Sequence, residues 1–196
     1  MQLHKRDVVD AATTLLDSFG IADLTMRRLA RELDVSPGAL YWHFANKQQL
    51  LGAVSDRILE PVGDVPSSWQ DRVAGICGRL RDALLSHTDG AELVSASFAA
   101  GQSQAMAQIV ARLTDAAADA RVDLSHAELA ARTVVYYVLG FTADEQSRLQ
   151  WDAAGAELPD GQSVIADDAN GRFRFGLRLL IDGIAAHSDS VVGGRD

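Results

Sequence analysis

An all-α fold is expected from three observations. Apolar residues recur at spacings of three and four along most of the chain, and no stretch shows the strict alternation of a half-buried strand. Ser, Thr and Asn residues stand where N-caps belong, directly ahead of periodic segments. The order of these segments predicts an N-terminal three-helix head, a connecting helix, and a larger helical body.

The first segment carries Val8, Ala12, Leu15, Leu16 and Phe19 on one side, and Gly20 is placed to end it. Leu24 and Thr25 follow as staple residue and N-cap of a second helix, with Leu29 as the staple's partner and Met26, Leu29, Ala30 and Leu33 as its buried stripe. Asp34-Val35 is too short to be more than a tight turn. Ser36 caps a third helix, and Pro37 at its first position loses no hydrogen bond because that N–H has no intrahelical partner. Val35 and Leu40 form a second staple, Leu40 and Phe44 share a buried face, and the helix should end near Phe44. Asn46 with Gln49 reads as the cap of a fourth helix, which turns Leu50, Val54 and Ile58 inward and stops near Pro61.

Residues 61–68 (PVGDVPSS) read as a linker. Trp69, Val73, Ile76, Cys77, Leu80 and Leu84 mark a long amphipathic helix that SHTDG breaks. A short helix is expected over 91–99, and another through Met106, Ile109, Val110, Leu113 and Ala117. Ser125 and Glu128 have capping-box spacing before AELAARTVVYYVLGF, a segment apolar almost all round and so expected to pack on two sides. Residues 151–170 read as a long irregular loop. The final helix aligns Phe173, Leu177, Leu180, Ile181 and Ile184.

The composition narrows the function. The chain has 196 residues, 47% hydrophobic and 23% charged, which is ordinary for a soluble globular protein. No run approaches the ~20 apolar residues of a membrane span, and the N-terminus lacks a signal-peptide core, so a cytoplasmic protein is expected. The lone cysteine, Cys77, reads as a buried structural thiol. Net charge is -9, yet residues 1–50 are balanced, with six basic and six acidic side chains. The acidic excess therefore lies in the body and argues against indiscriminate nucleic-acid binding, while leaving room for a local basic patch on the head. There is no P-loop, G-x-G-x-x-G, G-x-S-x-G or H-E-x-x-H. No enzyme activity, metal or cofactor is expected.

Helices over 25–33 and 37–44 joined by a brief turn have helix-turn-helix spacing. The small residues Pro37, Gly38 and Ala39 would let the second helix press its N-terminus onto a phosphate, where free N–H groups and the helix dipole favour anions. Ala39 could meet a thymine methyl group. Tyr41 and His43 can donate to phosphate oxygens, Trp42 can wedge against either the sugar-phosphate backbone or the domain core, Lys47 would clamp a phosphate, and Arg27 could reach a guanine edge or a phosphate.

The stretch LTMRRLARELDVSPGALYWHFANKQQLL closely resembles the DNA-binding region of the tetracycline-repressor (TetR) family, and YYVLGFTADEQ and FRFGLRLLIDGI resemble the late helices of its tetracycline-repressor branch. The resemblance covers nearly the whole chain and is weakest over 61–125 and 151–170. It implies an Ω-shaped homodimer with a DNA-binding head over 1–47, a connecting helix and linker over 48–66, and a ligand-binding and dimerisation body over 67–190. By resemblance, Thr25, Arg27, Pro37, Gly38, Ala39, Tyr41, Trp42, His43 and Lys47 match DNA-touching positions, and Ser36 caps the recognition helix among them. The implied partners are double-stranded operator DNA, a second copy of the chain and a small-molecule effector, with no membrane.

Within HTDGAELVSAS, the position matching the branch's metal-binding histidine is Val94, which offers no lone pair, so tetracycline–magnesium is not the expected effector. Asp144 and Glu145 are then expected to be solvated or capping residues. His87, Ser95, Phe98, Gln102, Met106, Tyr137, Phe141 and Trp151 mix apolar surface with polar tips as a ligand site does. Tyr136, Leu139, Gly140, Phe173, Leu177, Leu180, Ile181 and Ile184 are the expected dimer seam. The alternatives are an enzyme or ligand carrier on the same fold, or an activator or co-repressed regulator.

Overall fold

The computed structural model describes residues 3–63, 68–155 and 168–192, with side chains to 187. Among these residues it is all helical: α1 Lys5–Asp23, α2 Met26–Glu32, α3 Pro37–Tyr41, α4 Lys47–Leu59, α5 Trp69–Leu85, α6 Gly90–Ala99, α7 Gln104–Asp119, α8 Leu124–Ala153 and α9 Ala169–Val192. None of the described helices is long and apolar enough to cross a membrane. The chain divides into two compact units, Met1–Pro61 with Asp82–Ala107 and Val62–Arg81 with Gln108–Asp196. The division falls inside α5 and α7, and α4, which packs along α6, groups with α1–α3.

In the first unit the helix ends obey local chemistry. Thr25 Oγ1 accepts the Arg28 N–H at 3.1 Å, Ser36 Oγ accepts that of Ala39 at 3.3 Å, and Asn46 Oδ1 accepts that of Gln49 at 2.9 Å. Gln49 reaches back one residue further than expected, accepting the Ala45 N–H at 3.0 Å. The turn between α2 and α3 places Asp34 at φ 52°, and the Val35 N–H reaches the Ala30 carbonyl at 2.9 Å, the long bond of a Schellman closure. Gly20 breaks the regular backbone of α1 at φ 76°, ψ 173°, although one further turn runs on to Asp23. A Cβ on Gly20 would lie 2.6 Å from Asp89 Oδ2, which accepts the Ile21 N–H at 2.9 Å. Phe19 departs from the expected buried stripe. It is half exposed, with the Arg28 guanidinium 3.8 Å from its ring centroid.

α4 is locked to the α6–α7 connection by a small polar network. Asp56 Oδ1 accepts from Ser103 Oγ at 2.8 Å and from the Ala105 N–H at 2.9 Å, and Ser55 Oγ donates to Ser103 Oγ at 3.1 Å. Gly52 lets the backbones meet, since a Cβ there would stand 2.3 Å from the Gln102 carbonyl oxygen.

In the second unit α8 and α9 pack through aromatic rings. Tyr137 stacks on Phe173 at 5.7 Å, Phe141 meets Phe173 edge-on at 5.4 Å, and Tyr137 Oη donates to the Phe173 carbonyl at 2.9 Å. Desolvation raises the Tyr137 phenol above its ordinary range. Cys77 is fully buried on α5, as expected, and burial pushes its thiol up to about 12. α8 begins at Leu124 and its N-cap is Asp123, which accepts the Ser125 N–H at 2.8 Å; Ser125 is therefore a capped residue, not the cap. Hydrogen bonding to Ser125 lowers the Asp123 pKa.

Glu145 corrects a second expectation. It is neither solvated nor a cap, but is buried in a two-point ion pair with Arg81, at 2.8 Å from Nε and 2.6 Å from Nη2. Arg81 Nη1 also donates to Asn170 Oδ1 at 2.7 Å, so one guanidinium ties α5, α8 and α9 together. Among the described residues α8 is buried on one side and exposed on another. Val134, Val135, Val138 and Leu139 are buried while Leu129 and Tyr136 are exposed. Of the expected 61–68 linker, residues 64–67 lie outside the described residues. So do residues 156–167 of the expected 151–170 loop, whose flanks belong to α8 and α9.

Two substitutions test this packing. Gly52→Ala should destabilise by about 1–3 kcal/mol, because the new methyl group overpacks against backbone; an unchanged urea midpoint would show that α4 and the α6–α7 connection do not touch there. Glu145→Ala should cost about 3–5 kcal/mol by leaving Arg81 buried and unpaired, and Arg81→Met with Glu145→Leu should recover much of that loss. Equal stability of the single variant and the wild type in chemical denaturation would contradict the buried pair.

Candidate nucleic-acid interface

α3 has five residues, far fewer than the ~12–15 an isolated helix needs to persist in water. Its position is therefore set by what it buries. Leu40 is 0% and Phe44 1% exposed, and Lys5 Nζ lies 5.0 Å from the Phe44 ring centroid. The helix closes at Tyr41, earlier than the expected Phe44, and a turn held by Leu40 O to the N–H groups of His43 and Phe44, both at 3.0 Å, carries Phe44 back inward.

With Leu40 and Phe44 fixed inward, the neighbouring residues face out. Tyr41 is 52% and Trp42 92% exposed, so Trp42 is not a core residue. Ser36, Pro37 and Gly38 are exposed, and Ala39 and His43 are partly so. Thr25 and Arg27 are exposed at the start of α2, while Lys47, partly buried, opens α4. The structure thus places the ten expected DNA-contact residues at the starts of α2, α3 and α4, at the end of α3 and in the turn after it. Together they carry helix N-termini, aromatic hydroxyl and indole donors, and cations, with no carboxylate among the ten. Such a surface suits phosphates and base edges.

The residues expected to hold an effector are more dispersed. His87, Ser95, Phe98, Gln102 and Met106 lie in the first unit; Tyr137, Phe141 and Trp151 lie in the second. His87 Nδ1 sits 3.0 Å from Asp17 Oδ1 and, with Asp10, Asp17 and Arg57, lines a cavity of about 520 Å³. Met106 is wholly buried, Tyr137 and Phe141 are committed to the α8–α9 aromatic packing, and Ser95, Gln102 and Trp151 are exposed. Two residues escaped notice because serine and threonine within a helix carry no pattern. Ser97 Oγ in the first unit and Thr142 Oγ1 in the second are buried with no hydrogen-bond partner, an unusual state for a buried hydroxyl.

Of the expected seam, Phe173, Leu177 and Leu139 are buried within their own protomer, so they are corrected from contact residues to core residues that support one. Tyr136 and Gly140 are exposed, and Leu180, Ile181 and Ile184 are partly so. The exposed apolar residues Leu129, Phe175 and Leu179 lie on the same two helices and were missed, because periodicity marks an apolar face without saying which chain covers it.

The family described as "Bacterial regulatory proteins, tetR family" matches residues 8–54, and the one described as "Tetracyclin repressor-like, C-terminal domain" matches residues 62–162. The class E tetracycline repressor protein of Escherichia coli is 34% identical over 202 residues, spanning 96% of this chain and 93% of its own length. The crystal structure of Mycobacterium smegmatis BioQ is similar with a TM-score of 0.88 and 62% identity, over 95% of this chain and 99% of that one. A crystal structure of BioQ with its natural double-stranded DNA operator gives a TM-score of 0.80 and 59% identity, over 95% of this chain and 100% of that one. This protein therefore belongs to the tetR family of bacterial regulatory proteins, DNA-binding regulators of transcription.

Proposed function

We propose that the chain is a homodimeric, cytoplasmic repressor that binds a specific operator and is released by a small molecule other than tetracycline–magnesium. The observation that carries this reading is the split of the α3 aromatics. Leu40 and Phe44 hold the helix from inside while Tyr41 and Trp42 stand in solvent, which leaves a donor-rich edge uncovered by the described residues. The likeness to BioQ, solved with its double-stranded DNA operator, supports operator binding by this chain. Residues 1–47 read the DNA, 48–66 connect, and 67–190 bind effector and partner. Regulation, not catalysis, is the whole activity in this reading.

The roles follow from chemistry. Pro37, Gly38 and Ala39 bring the N-terminus of α3 against the duplex, with Ser36 holding that end closed. Tyr41, Trp42 and His43 contact sugar and phosphate, Thr25 and Lys47 fix register on the backbone, and Arg27 reads a base edge or an adjacent phosphate. In a dimer the two copies of α3 must stand ~34–36 Å apart, or a multiple of it, to enter major grooves on one face. Tyr136, Gly140, Leu180, Ile181 and Ile184, joined by Leu129, Phe175 and Leu179, form the seam. An effector that binds the splayed dimer better than the DNA-bound one weakens operator binding by that difference, typically ~1–3 kcal/mol. Val94 is buried and apolar, so it supplies nothing to a drug-bound magnesium ion.

Mobility-shift titration on duplexes from the DNA flanking its own coding region tests the reading. One of these duplexes should bind in preference to a scrambled sequence, and tetracycline with magnesium should leave the complex intact. Lys47→Ala should weaken binding to every duplex and reduce the slope of log K against log salt by about 0.9, the value of one lost phosphate contact. Binding to no duplex above the scrambled control would overturn the proposal, and an unchanged salt slope would remove Lys47 from the interface.

A further inference from the structure

The second unit contains a cavity of about 590 Å³ between α5 and α9, within the range that encloses small molecules. Its α5 wall is made of Ala74 and Gly78, on the side of the helix away from the buried residues Ile76 and Leu80. A Cβ at Gly78 would meet nothing within 4 Å, so the floor is open space and not a tight helix crossing. The α9 wall offers Phe173, Leu177 and Ile181, an apolar strip at spacings of four. Arg174 and Arg178 project beside this strip, one turn apart, and both are exposed.

The charges in the cavity are not equivalent. The guanidinium of Arg81 at one end is neutralised by Glu145 and held by Asn170. At the start of α5 the Ser68 Oγ accepts the Asp71 N–H at 3.2 Å and donates to the Asp71 carboxylate at 2.7 Å, which keeps its charge. Asp182 remains, without a bond to any described residue. Arg174 and Arg178 likewise have no hydrogen-bond or ion-pair partner among the described residues. These two guanidinium groups stand one turn apart on α9, and neither cavity carboxylate, Asp71 or Asp182, is paired with them. They lie along an apolar floor, and planar guanidinium forks pair with carboxylates through two parallel hydrogen bonds.

We propose that this α5–α9 cavity is a binding site for an amphiphilic carboxylate, its head group on Arg174 and Arg178 and its apolar body over Ala74, Gly78, Phe173 and Leu177. Asp182 disfavours a second negative charge at the far end, so the ligand is a monoanion with a single head. Occupancy bears on α5 and α9, the two helices that Arg81 and Asn170 join, within the second unit. As an effector site the cavity rests on the repressor reading above. As a binding site it does not.

The test uses the full-length protein with decanoate as probe and decylammonium as the cationic control, followed by titration calorimetry. Decanoate should bind the wild type and decylammonium should bind at least tenfold more weakly. Arg174→Gln with Arg178→Gln should weaken decanoate about tenfold or more, as expected when a charged fork is lost. Gly78→Leu should abolish binding by filling the floor while leaving circular dichroism and thermal stability intact, because it meets open space and improves helix propensity. Absence of decanoate binding, equal binding of the two probes, or unchanged binding in both variants would overturn the proposal. Operator binding is measured in parallel by mobility shift without probe. Operator binding with no decanoate binding defeats the cavity alone, whereas decanoate binding without operator binding defeats the repressor reading alone.

Discussion

The structure's capacity to meet DNA depends on the burial of Leu40 and Phe44. A five-residue helix has too few internal hydrogen bonds to hold its own shape or direction. Burying two large side chains on one side contributes roughly 3–6 kcal/mol, and the Ser36 cap adds about 1 kcal/mol. Those terms convert a marginal turn into a fixed one. Once they are satisfied, the 3.6-residue period sets Tyr41 about 100° around the helix from Leu40, on an exposed flank. Trp42 follows it outward because the chain leaves the helix there. An exposed tryptophan beside an exposed tyrosine is costly for a protein that meets only water, and the cost is offset when both meet a duplex.

Much of the first unit was legible in the sequence because its signals are local. Thr25, Ser36 and Asn46 each sit at an N-cap, and a cap declares itself within four residues. The turn at Asp34 and the buried pair Leu40 and Phe44 follow from the same short-range rules. Phe19 escaped because periodicity marks an apolar face without saying whether another element covers its end. Trp42 had two defensible positions in the sequence, and only the early end of α3 decides between them.

The second unit was less legible because its decisive contacts are distant in sequence. Glu145 reads as one more exposed acid on an acidic body until Arg81, 64 residues earlier, is brought against it. Helical spacing places Phe173 and Leu177 on an apolar face, but the face has two neighbours to choose from, its own α5 and α8 or another protomer. Their near-complete burial settles that they pack within the chain. The α5–α9 cavity is similarly invisible in the sequence. Alanine and glycine at 74 and 78 look like ordinary helix filler until an arginine-bearing helix faces them. Buried pairs such as Arg81–Glu145 add little net stability but fix which helices meet, and that specificity suits a body whose arrangement must respond to a ligand.

The account's central claim concerns Trp42, and one fluorescence measurement tests it directly. In a Trp69→Phe, Trp151→Phe background the emission comes from Trp42 alone, and acrylamide quenching reports its exposure. The account predicts strong quenching in the free protein and loss of most of that quenching when operator duplex is added, saturating at one dimer per site, with little change on scrambled duplex at the same salt. If Trp42 remains as accessible to acrylamide in the saturated operator complex as in the free protein, the outward face of α3 is not the DNA-binding surface.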